Sequence, residues 1–484
     1  MTEKTVKHIV IDPVTRLEGH AKIDIILDDK GKIEDVYLQV PEFRGFEKFC
    51  EGRRVEELPR ITPKICGVCP MAHHMASAKA LDMAFGVEPT SVAHKLRELM
   101  YNAYVFEDHT LAFYFLQAPD FVVGPSAPPA ERNILGVIAK VGVDIGKEVI
   151  KHRAYGQQML QILTGSKIFP AVAIPGGVSK GLSEEDRDKM IPWAESCVEF
   201  SKFTQQLLHD VVLENKDYVD LILSDTYNLK AYNMGLVDEN NKINFYDGQI
   251  RVTSPEDKEF VKFESKDYLE HVAEVPIPHS YVKRTYLKKL GLENGLYRAG
   301  PLARLNASEG MTTPLAQKEY EKFYSVLGGK PANQTLAYNW ARVIEQLYAA
   351  ERVLELLNDP EITSDDFRTL ATEVPTEGVG VVEACRGTLY HHYKCDEKGL
   401  AKEVNLIVAT TNNKFALEKS VEKAARGLIE SEQPDQGILN MVEMSFRAYD
   451  PCMACATHSL PGKMPLTINL YDKNKNLLRK IQRK

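Results

Sequence analysis

The chain has 484 residues, of which 44% are hydrophobic and 26% are charged, a composition typical of a globular protein with a large core. Its 60 basic and 68 acidic residues give a net charge of -8, so it lacks the basic surface that nucleic-acid binding requires and we predict no nucleic-acid partner. By length alone it could hold about three domains.

The start of the chain has no basic segment followed by an apolar one, so we predict no secretory signal peptide. The most apolar stretches, such as residues 110–116, run into proline or charge well before they reach the length that crosses a bilayer. We therefore expect a cytoplasmic protein that does not insert directly into a membrane.

Residues 8–40 contain three short apolar runs with a turn at 28–31 and predict a small antiparallel meander. Apolar positions at helical spacing then predict long helices, punctuated by proline and glycine. The predicted helices cover residues 91–117, 131–164, 185–223, 334–358 and 414–430.

Two other regions differ in character from these helices. Residues 224–300 are polar and rich in turn residues, which predicts loops or hairpins. Residues 378–411 return to strand-like runs, of which 404–410 is the clearest. The sequence therefore indicates a mainly helical protein with sheet from both ends of the chain.

The chain has eight cysteines, too few for a disulfide framework at this length. Four of them form two CxxC pairs, Cys66 with Cys69 and Cys452 with Cys455. Four thiolates bind zinc, iron–sulfur clusters, copper(I) or nickel. A structural zinc site is the ordinary interpretation of such a pattern, but its pairs usually come from one compact module, whereas these lie at opposite ends of the chain.

Four stretches are similar to the signature motifs of one enzyme family and occur in the family's order. They are residues 12–20, 44–47, 65–69 and 450–458. On these motifs the chain resembles the large, catalytic subunit of nickel–iron hydrogenases over nearly its whole length. Residues 44–52, 300–306 and 387–393 are similar to the cytoplasmic, bidirectional branch. Within that branch the type linked to heterodisulfide reductase is the nearer match, and the NAD-linked type is the alternative.

The resemblance implies an α+β, mainly helical fold, the nickel–iron hydrogenase large-subunit fold. We expect a central bundle of long helices with small antiparallel sheets from the N- and C-terminal ends. Residues 1–458 would form one interlocked catalytic domain. A maturation protease would cut after His458 once nickel is in place and remove the extension 459–484.

The family's reaction is the reversible oxidation of H2 to two protons and two electrons, and the resemblance implies the ligands of its metals. Cys66 and Cys452, the first cysteine of each pair, would be terminal nickel ligands. Cys69 and Cys455 would bridge nickel to an iron that also carries carbon monoxide and cyanide. Thiolates offer nickel a soft, electron-rich site, and a terminal thiolate can accept a proton.

The resemblance also assigns two proton-handling residues near the cysteines. Glu18 matches the family's first proton carrier, beside the Cys452 sulfur; by composition alone it would be a surface strand glutamate. His73 matches a histidine that donates to a bridging sulfur, and otherwise it would be an ordinary core histidine. His74 is expected to be structural.

Other matched residues would surround the open metal position. Arg386 would bond to a cyanide and polarise incoming hydrogen, held by Asp108 and Asp450, although an arginine there could equally form a surface ion pair. The Ala409–Thr410 pair would contact the other cyanide, through the Thr410 hydroxyl. The family often has proline where this chain has Cys385, and Pro-Ser where it has Ala409 and Thr410.

A second metal site is implied at the C-terminal end, with magnesium or ferrous iron. Its ligands would be Glu47, the backbone carbonyl of Leu406 and His458, and oxygen ligands of this kind suit a hard cation. A further departure is Phe169, where relatives often have histidine.

The remaining cysteines, Cys50, Cys197, Cys385 and Cys395, form no cluster-binding pattern. Electrons must therefore leave through a partner. The resemblance implies an iron–sulfur small subunit and further electron-transfer subunits, either heterodisulfide-reductase-like proteins or an NAD-linked flavoprotein.

Three alternative interpretations are a metal-free subunit like the quinone-side subunit of respiratory complex I, a structural zinc protein, and a hydrogen-sensing regulatory subunit. All four cysteines are present, which argues against the first. The regulatory type usually lacks a cleaved tail, whereas this chain has 26 residues after His458.

Overall fold

The computed structural model describes residues 8–458, 467–471 and 477–482. Its first three strands are β1 (His8–Ile11), β2 (Lys22–Leu27) and β3 (Ile33–Gln39), paired antiparallel in the order β1-β2-β3. Ile23 and Ile25, two residues apart on the central strand, are fully buried because they share the sheet face that meets the core. The predicted N-terminal meander is confirmed.

Long helices form the body of the protein. All five predicted regions are helical, but the regions 131–164 and 185–223 each divide into two helices, at Gly142 and over residues 209–215. The helices are α1 (Phe46–Cys50), α2 (Leu58–Ile61), α3 (Pro70–Ala84), α4 (Ser91–Leu111), α5 (Ile134–Val141), α6 (Val143–Thr164), α7 (Glu184–Leu208), α8 (Lys216–Leu223), α9 (Tyr268–His271), α10 (Gly291–Asn294), α11 (Pro301–Ala307), α12 (Pro314–Leu327), α13 (Tyr338–Leu357), α14 (Ala409–Leu428) and α15 (Gln436–Arg447). α13 is buried along most of its length and packs against α4 and α7.

The other strands lie between and after these helices. They are β4 (Ala173–Ile174), β5 (Gly177–Val178), β6 (Tyr232–Val237), β7 (Gln249–Thr253), β8 (Glu259–Phe263), β9 (Val272–Ile277), β10 (Ser280–Leu287), β11 (Tyr297–Arg298), β12 (Glu377–Ala384), β13 (Gly387–Cys395), β14 (Ala401–Ile407), β15 (Thr467–Tyr471) and β16 (Leu477–Gln482).

The turn-rich region 224–300 contains more regular structure than its composition predicts. Strands β6, β7 and β8 pair antiparallel, and the short β11 joins β6 in parallel. β6 packs on α11 and against β12 and β13, so most of its residues are buried despite the polar loops around it. The hairpins predicted for this region are present, whereas the parallel pairing of β11 with β6 was not predicted, because it joins strands far apart in the chain.

The sheet β12-β13-β14 is antiparallel and packs directly on α3. Two glycines on β12 allow this close approach. A Cβ at Gly378 would lie 2.0 Å from the Ala80 carbonyl oxygen, and one at Gly380 would lie 1.9 Å from that of Ala76. No side chain fits in that space, so glycine at both positions brings the start of α3 beside the β12–β13 turn.

The strand run predicted at 404–410 ends earlier in the structure. β14 stops at Ile407, and α14 begins at Ala409. The apolar run continues because the first turn of α14 is itself buried in the core. A continuous apolar run cannot distinguish a buried strand from a buried helix start.

The end of the chain forms the antiparallel hairpin β15–β16. The rest of the segment 459–484, and with it the predicted cleavage position after His458, lies outside the described residues. No helix in the described part of the chain has both the length and the apolar character needed to cross a membrane.

Candidate metal centre

The four predicted cysteines meet in one buried cluster. The sulfur of Cys66 lies 3.4 Å from that of Cys452, and the sulfur of Cys69 lies 3.4 Å from that of Cys455. All four sulfurs lie within 4.8 Å of one another, and the Cys452 and Cys455 sulfurs are in direct contact. The two ends of the chain therefore build a single four-sulfur pocket.

The first pair lies at the start of α3. Cys66 follows a 3-10 turn (Thr62–Ile65), and Cys69 is the residue that precedes the helix, whose first position is Pro70. The backbone N–H groups of Val68 and Cys69 donate to the Cys66 sulfur at 3.3 and 3.2 Å. Proline fits the first helical position, and the positive end of the helix dipole favours a thiolate there.

The second pair is held by the N-terminal segment. Glu18 and Cys452 form an isolated parallel bridge, and the Met453 N–H donates to the Glu18 carbonyl oxygen at 2.9 Å. Cys455 then lies in a 3-10 turn (Ala454–Ala456). Backbone pairing between residues more than 400 positions apart thus determines where the second pair of sulfurs sits.

The first pair shares its protons unequally. Burial alone would raise the pKa of Cys66, but the hydrogen bond from Cys69 and the charge of Arg386 outweigh burial and lower it. The same hydrogen bond, together with burial, raises the pKa of Cys69 well above its usual value. The pair therefore favours one thiolate and one thiol in the absence of a cation.

Glu18 contacts the cluster through its carboxylate. Its Oε2 accepts from the Cys452 sulfur at 2.8 Å and from the Ala454 N–H at 3.2 Å. Burial raises the pKa of Glu18, with Arg386 and the Ala454 hydrogen bond acting in the opposite direction. A half-buried carboxyl in this position can take a proton from a thiol and release it again.

Arg386 is buried at the β12–β13 turn between two carboxylates. Its two terminal nitrogens bond to Asp108 at 2.9 and 3.0 Å, and one of them lies 2.9 Å from Asp450. Burial opposes the charge, but the two carboxylates raise the pKa of Arg386 well above its ordinary value. Its Nε has no hydrogen-bond partner among the described residues, so one buried donor remains available.

Thr410 is placed by the first turn of α14, next to Ala409. Its hydroxyl oxygen accepts from the Cys452 N–H at 3.0 Å, and the residue is 1% exposed. The Thr410 hydroxyl also carries a hydrogen of its own, so its O–H can still donate a hydrogen bond beside the cluster.

His73 is fully buried on α3, one helical turn after Cys69. Its Nδ1 lies 3.0 Å from Nε2 of His391, and its Nε2 has no partner in the described part of the chain. Burial, and then the charge of Arg44, lower the pKa of His73 to about 3, so the ring is neutral. The structure gives it no bond to a sulfur, and its predicted role as a sulfur donor stays a prediction. His74, expected to be structural, bonds to the Pro59 carbonyl oxygen at 2.7 Å.

Of the predicted second site, Glu47 contacts the backbone of Leu406, and His458 lies beside Phe46, the residue before Glu47. The Glu47 carboxylate, on α1, accepts from the Leu406 N–H at 3.0 Å, and the ring of Phe46 lies 6.0 Å from that of His458. Both ring nitrogens of the buried His458 lack partners within the described residues. Burial keeps the pKa of His458 well below its ordinary value, which leaves a neutral imidazole able to bind a cation.

A second buried charge cluster lies behind Arg386, and no sequence pattern predicted it. Arg304 on α11 binds Glu345 with two nitrogens at 2.7 and 2.6 Å, and Glu383 at 2.7 Å. It also donates to the carbonyl oxygens of Ala384 at 2.7 Å and Cys385 at 3.2 Å. These residues lie on elements far apart in sequence. The sequence offers no signal for the cluster beyond the presence of arginine and glutamate in otherwise apolar stretches.

The donors present fit a nickel–iron centre. Four soft thiolates suit both metals, and the buried Nε of Arg386 and the Thr410 hydroxyl offer hydrogen-bond donors for anionic ligands on the iron. Zinc would accept the same sulfurs, but it would give no reason for a buried arginine with a free donor beside them.

Comparison with known proteins supports the same interpretation. A family model described as "Nickel-dependent hydrogenase" matches residues 44–140 and 148–458, and one described as "HoxL-like" matches residues 8–43. An iron-sulfur subunit of the F420-non-reducing hydrogenase of Archaeoglobus profundus is 47% identical over 98% of this chain and 99% of its own.

A second relative comes from a different electron-transfer system. The NAD-reducing hydrogenase HoxS subunit beta of Cupriavidus necator is 40% identical over 96% of this chain and 97% of its own. Among solved structures, an NAD+-reducing NiFe-hydrogenase in the H2-reduced state is similar with a TM-score of 0.89 and 36% identity, over 93% of this chain and 99% of that one. This likeness confirms the predicted fold class.

Proposed function

Because the chain belongs to the nickel-dependent hydrogenase family, as a large subunit, we propose that it catalyses the reversible oxidation of H2 to two protons and two electrons. Membership of the family makes it an oxidoreductase that acts on hydrogen. The single observation that carries the proposal is the meeting of Cys66 and Cys69 with Cys452 and Cys455 in one pocket.

These four thiolates would hold nickel and iron, with the first cysteine of each pair on nickel and the second bridging the metals. Bound there, a nickel–iron centre supplies soft, redox-active metals at which hydrogen can split into unequal parts. Carbon monoxide and cyanide on the iron are part of the proposal. The remaining steps belong to the side chains of this chain.

The proton leaves through Cys452 and Glu18. The Cys452 sulfur and Glu18 Oε2 are 2.8 Å apart, which is within the range for direct proton transfer. The Ala454 N–H holds the same oxygen and so keeps the carboxylate turned towards the sulfur. Glu18 is therefore the proposed first proton carrier away from the centre.

Arg386 would orient the hydrogen-splitting position. Its charge is held by Asp108 and Asp450 rather than by solvent, and a fixed cation in a dry pocket stabilises developing negative charge without reorganisation. Its free Nε would donate to one cyanide, and the Thr410 hydroxyl, next to Ala409, would donate to the other.

A second cation, magnesium or ferrous iron, would bind Glu47, the Leu406 carbonyl and His458. The support is that both buried ring nitrogens of His458 lack partners among the described residues. The ring also lies beside Phe46, which directly precedes Glu47. A cation there would tie the last residues of the catalytic segment to α1 and β14 and so keep the second cysteine pair in position.

Electrons need a route out of the protein. The relatives are named as subunits of larger hydrogenases, which implies a small-subunit partner for this chain. We propose that the partner carries iron–sulfur clusters. Both a heterodisulfide-reductase-like partner and an NAD-linked flavoprotein stay open beyond it, because the relatives include both an F420-non-reducing and an NAD-reducing hydrogenase.

Metal analysis and infrared spectroscopy of natively matured protein test the proposal. We expect nickel and iron together, with carbonyl and cyanide stretches that report the iron centre. Zinc alone in correctly matured protein would refute it and favour the structural zinc protein, and the absence of any bound metal would favour the subunit related to complex I.

The maturation step is a separate proposal. We expect a specific protease to cut after His458, leaving residues 1–458 as one interlocked catalytic domain. Intact-mass measurement of active, nickel-loaded protein checks this, and an active chain that still ended at Lys484 would contradict it.

A further inference from the structure

Tyr104 touches the carboxylate that holds Arg386. It lies one turn before Asp108 on α4, is 2% exposed, and its hydroxyl donates to Asp108 Oδ2 at 3.0 Å. The two Asp108 oxygens each also accept from Arg386. Asp108 Oδ2 therefore has two donors, one from the guanidinium and one from the phenol.

The Tyr104 hydroxyl has one hydrogen to give. A phenol has a single O–H, and here it points at Asp108. The bond therefore fixes one oxygen of the carboxylate from the side of α4, while Arg386 binds both oxygens from the β12–β13 turn.

Tyr104 stays protonated in this setting. Burial, followed by the negative charges around it, raises the pKa of Tyr104 well above its ordinary value. The phenol therefore remains a donor to Asp108 at neutral pH.

We propose that Tyr104 is a positioning residue that sets the orientation of the Asp108 carboxylate and, through it, of the Arg386 guanidinium. A bidentate ion pair is planar and directional, so a rotation of the carboxylate turns the guanidinium with it. Tyr104 acts through Asp108 and touches no reacting atom. This inference rests on the proposed role of Arg386 beside the iron's cyanide ligands.

The chain offers a matched control for Tyr104. Tyr101 lies on the same helix with its ring centre 5.7 Å from that of Tyr104, is fully buried, and donates one hydrogen bond of 2.8 Å to the Glu383 carbonyl oxygen. Tyr104→Phe and Tyr101→Phe each remove one buried hydroxyl and one hydrogen bond. A merely structural role would make the two variants alike.

The experiment compares both variants with the wild-type complex, matured with its metals. We expect similar small losses in melting temperature for both. Only Tyr104→Phe should shift the cyanide stretches in the infrared spectrum and lower kcat for H2 oxidation. The expected fall in kcat is about tenfold, which corresponds to about 1.4 kcal/mol of lost transition-state stabilisation. Equal spectra and equal kcat in the two variants would overturn the inference.

A second pair of variants covers the case in which Tyr104→Phe fails to load nickel. Tyr104→Gln keeps a hydrogen-bond donor at this position, and Tyr104→Leu keeps none. We expect the cyanide stretches of the glutamine variant to lie closer to those of the wild type than the stretches of the leucine variant do. Identical spectra for the two variants would refute the positioning role. If wild-type protein shows no cyanide stretch at all, the proposed function fails first.

Discussion

Replacement of Arg304 by glutamine should destabilise the protein and disturb the metal centre together. Arg304 is 1% exposed, and the side chains of Glu345 and Glu383, which it joins, are fully buried. Glutamine keeps some of the size but removes the charge, and it leaves two carboxylates buried without their cation. Removing one partner of a buried ion pair costs about 3–5 kcal/mol.

The length of the chain determines how far this loss of stability lowers the melting temperature. With an unfolding entropy of about 2 cal/mol/K per residue, a chain of 484 residues loses about 1 °C of melting temperature per kcal/mol. Arg304→Gln should therefore melt about 3–5 °C below the wild type at about pH 7.5, measured by differential scanning calorimetry at a fixed scan rate.

The pH dependence gives a second, independent check. In the wild type, burial opposes the charge of Glu345, but Arg304 lowers its pKa below the usual 4.5. That stabilisation is present above pH 4.5 and is lost only as the pH falls through the lowered folded-state pKa. Without Arg304, burial dominates and the pKa of Glu345 rises above 4.5, so the folded variant takes up a proton first. The deficit should therefore be smaller at about pH 5.5 than at about pH 7.5.

A surface pair provides the control. Arg187 binds Asp188, with side chains 24% and 63% exposed, and Arg187→Gln should change the melting temperature by less than about 1 °C. A loss of under about 1 °C for Arg304→Gln, or the same loss at both pH values, would refute the assigned burial cost. Nickel content should fall as well, because Arg304 holds the backbone carbonyls of Ala384 and Cys385 just before Arg386.

Three further outcomes follow from the site. Glu18→Gln should slow hydrogen–deuterium exchange while nickel and iron still load, since only the proton acceptor next to Cys452 is lost; unchanged exchange would remove Glu18 from the proton route. Cys455→Ser should abolish hydrogen turnover, whereas the matched variant Cys197→Ser, at a cysteine buried away from the cluster, should keep it. His458→Ala should lower the content of the second cation in elemental analysis, and nickel content should fall with it because that cation keeps the second cysteine pair in position; full retention of the second cation would exclude His458 as its ligand.

The sequence alone predicted the features that depend on residues close together in the chain. The alternating isoleucines of β2, the long apolar helix α13 and the two CxxC pairs each carry their own pattern, because strand and helix periodicity and metal-ligand spacing act over a few residues. The motif resemblance extended this to the family, which the comparisons then supported.

The tertiary structure decided what depends on residues far apart. Cys66 and Cys452 are separated by 386 positions, and nothing local to either one says that their sulfurs touch. The same holds for the Arg304 cluster, for the hydrogen bond from Tyr104 to Asp108, and for the parallel pairing of β11 with β6. These contacts arise because packing brings distant elements together. The sequence does not show which residue will pair with a buried charge or hydroxyl, so the partner is known only from the tertiary structure.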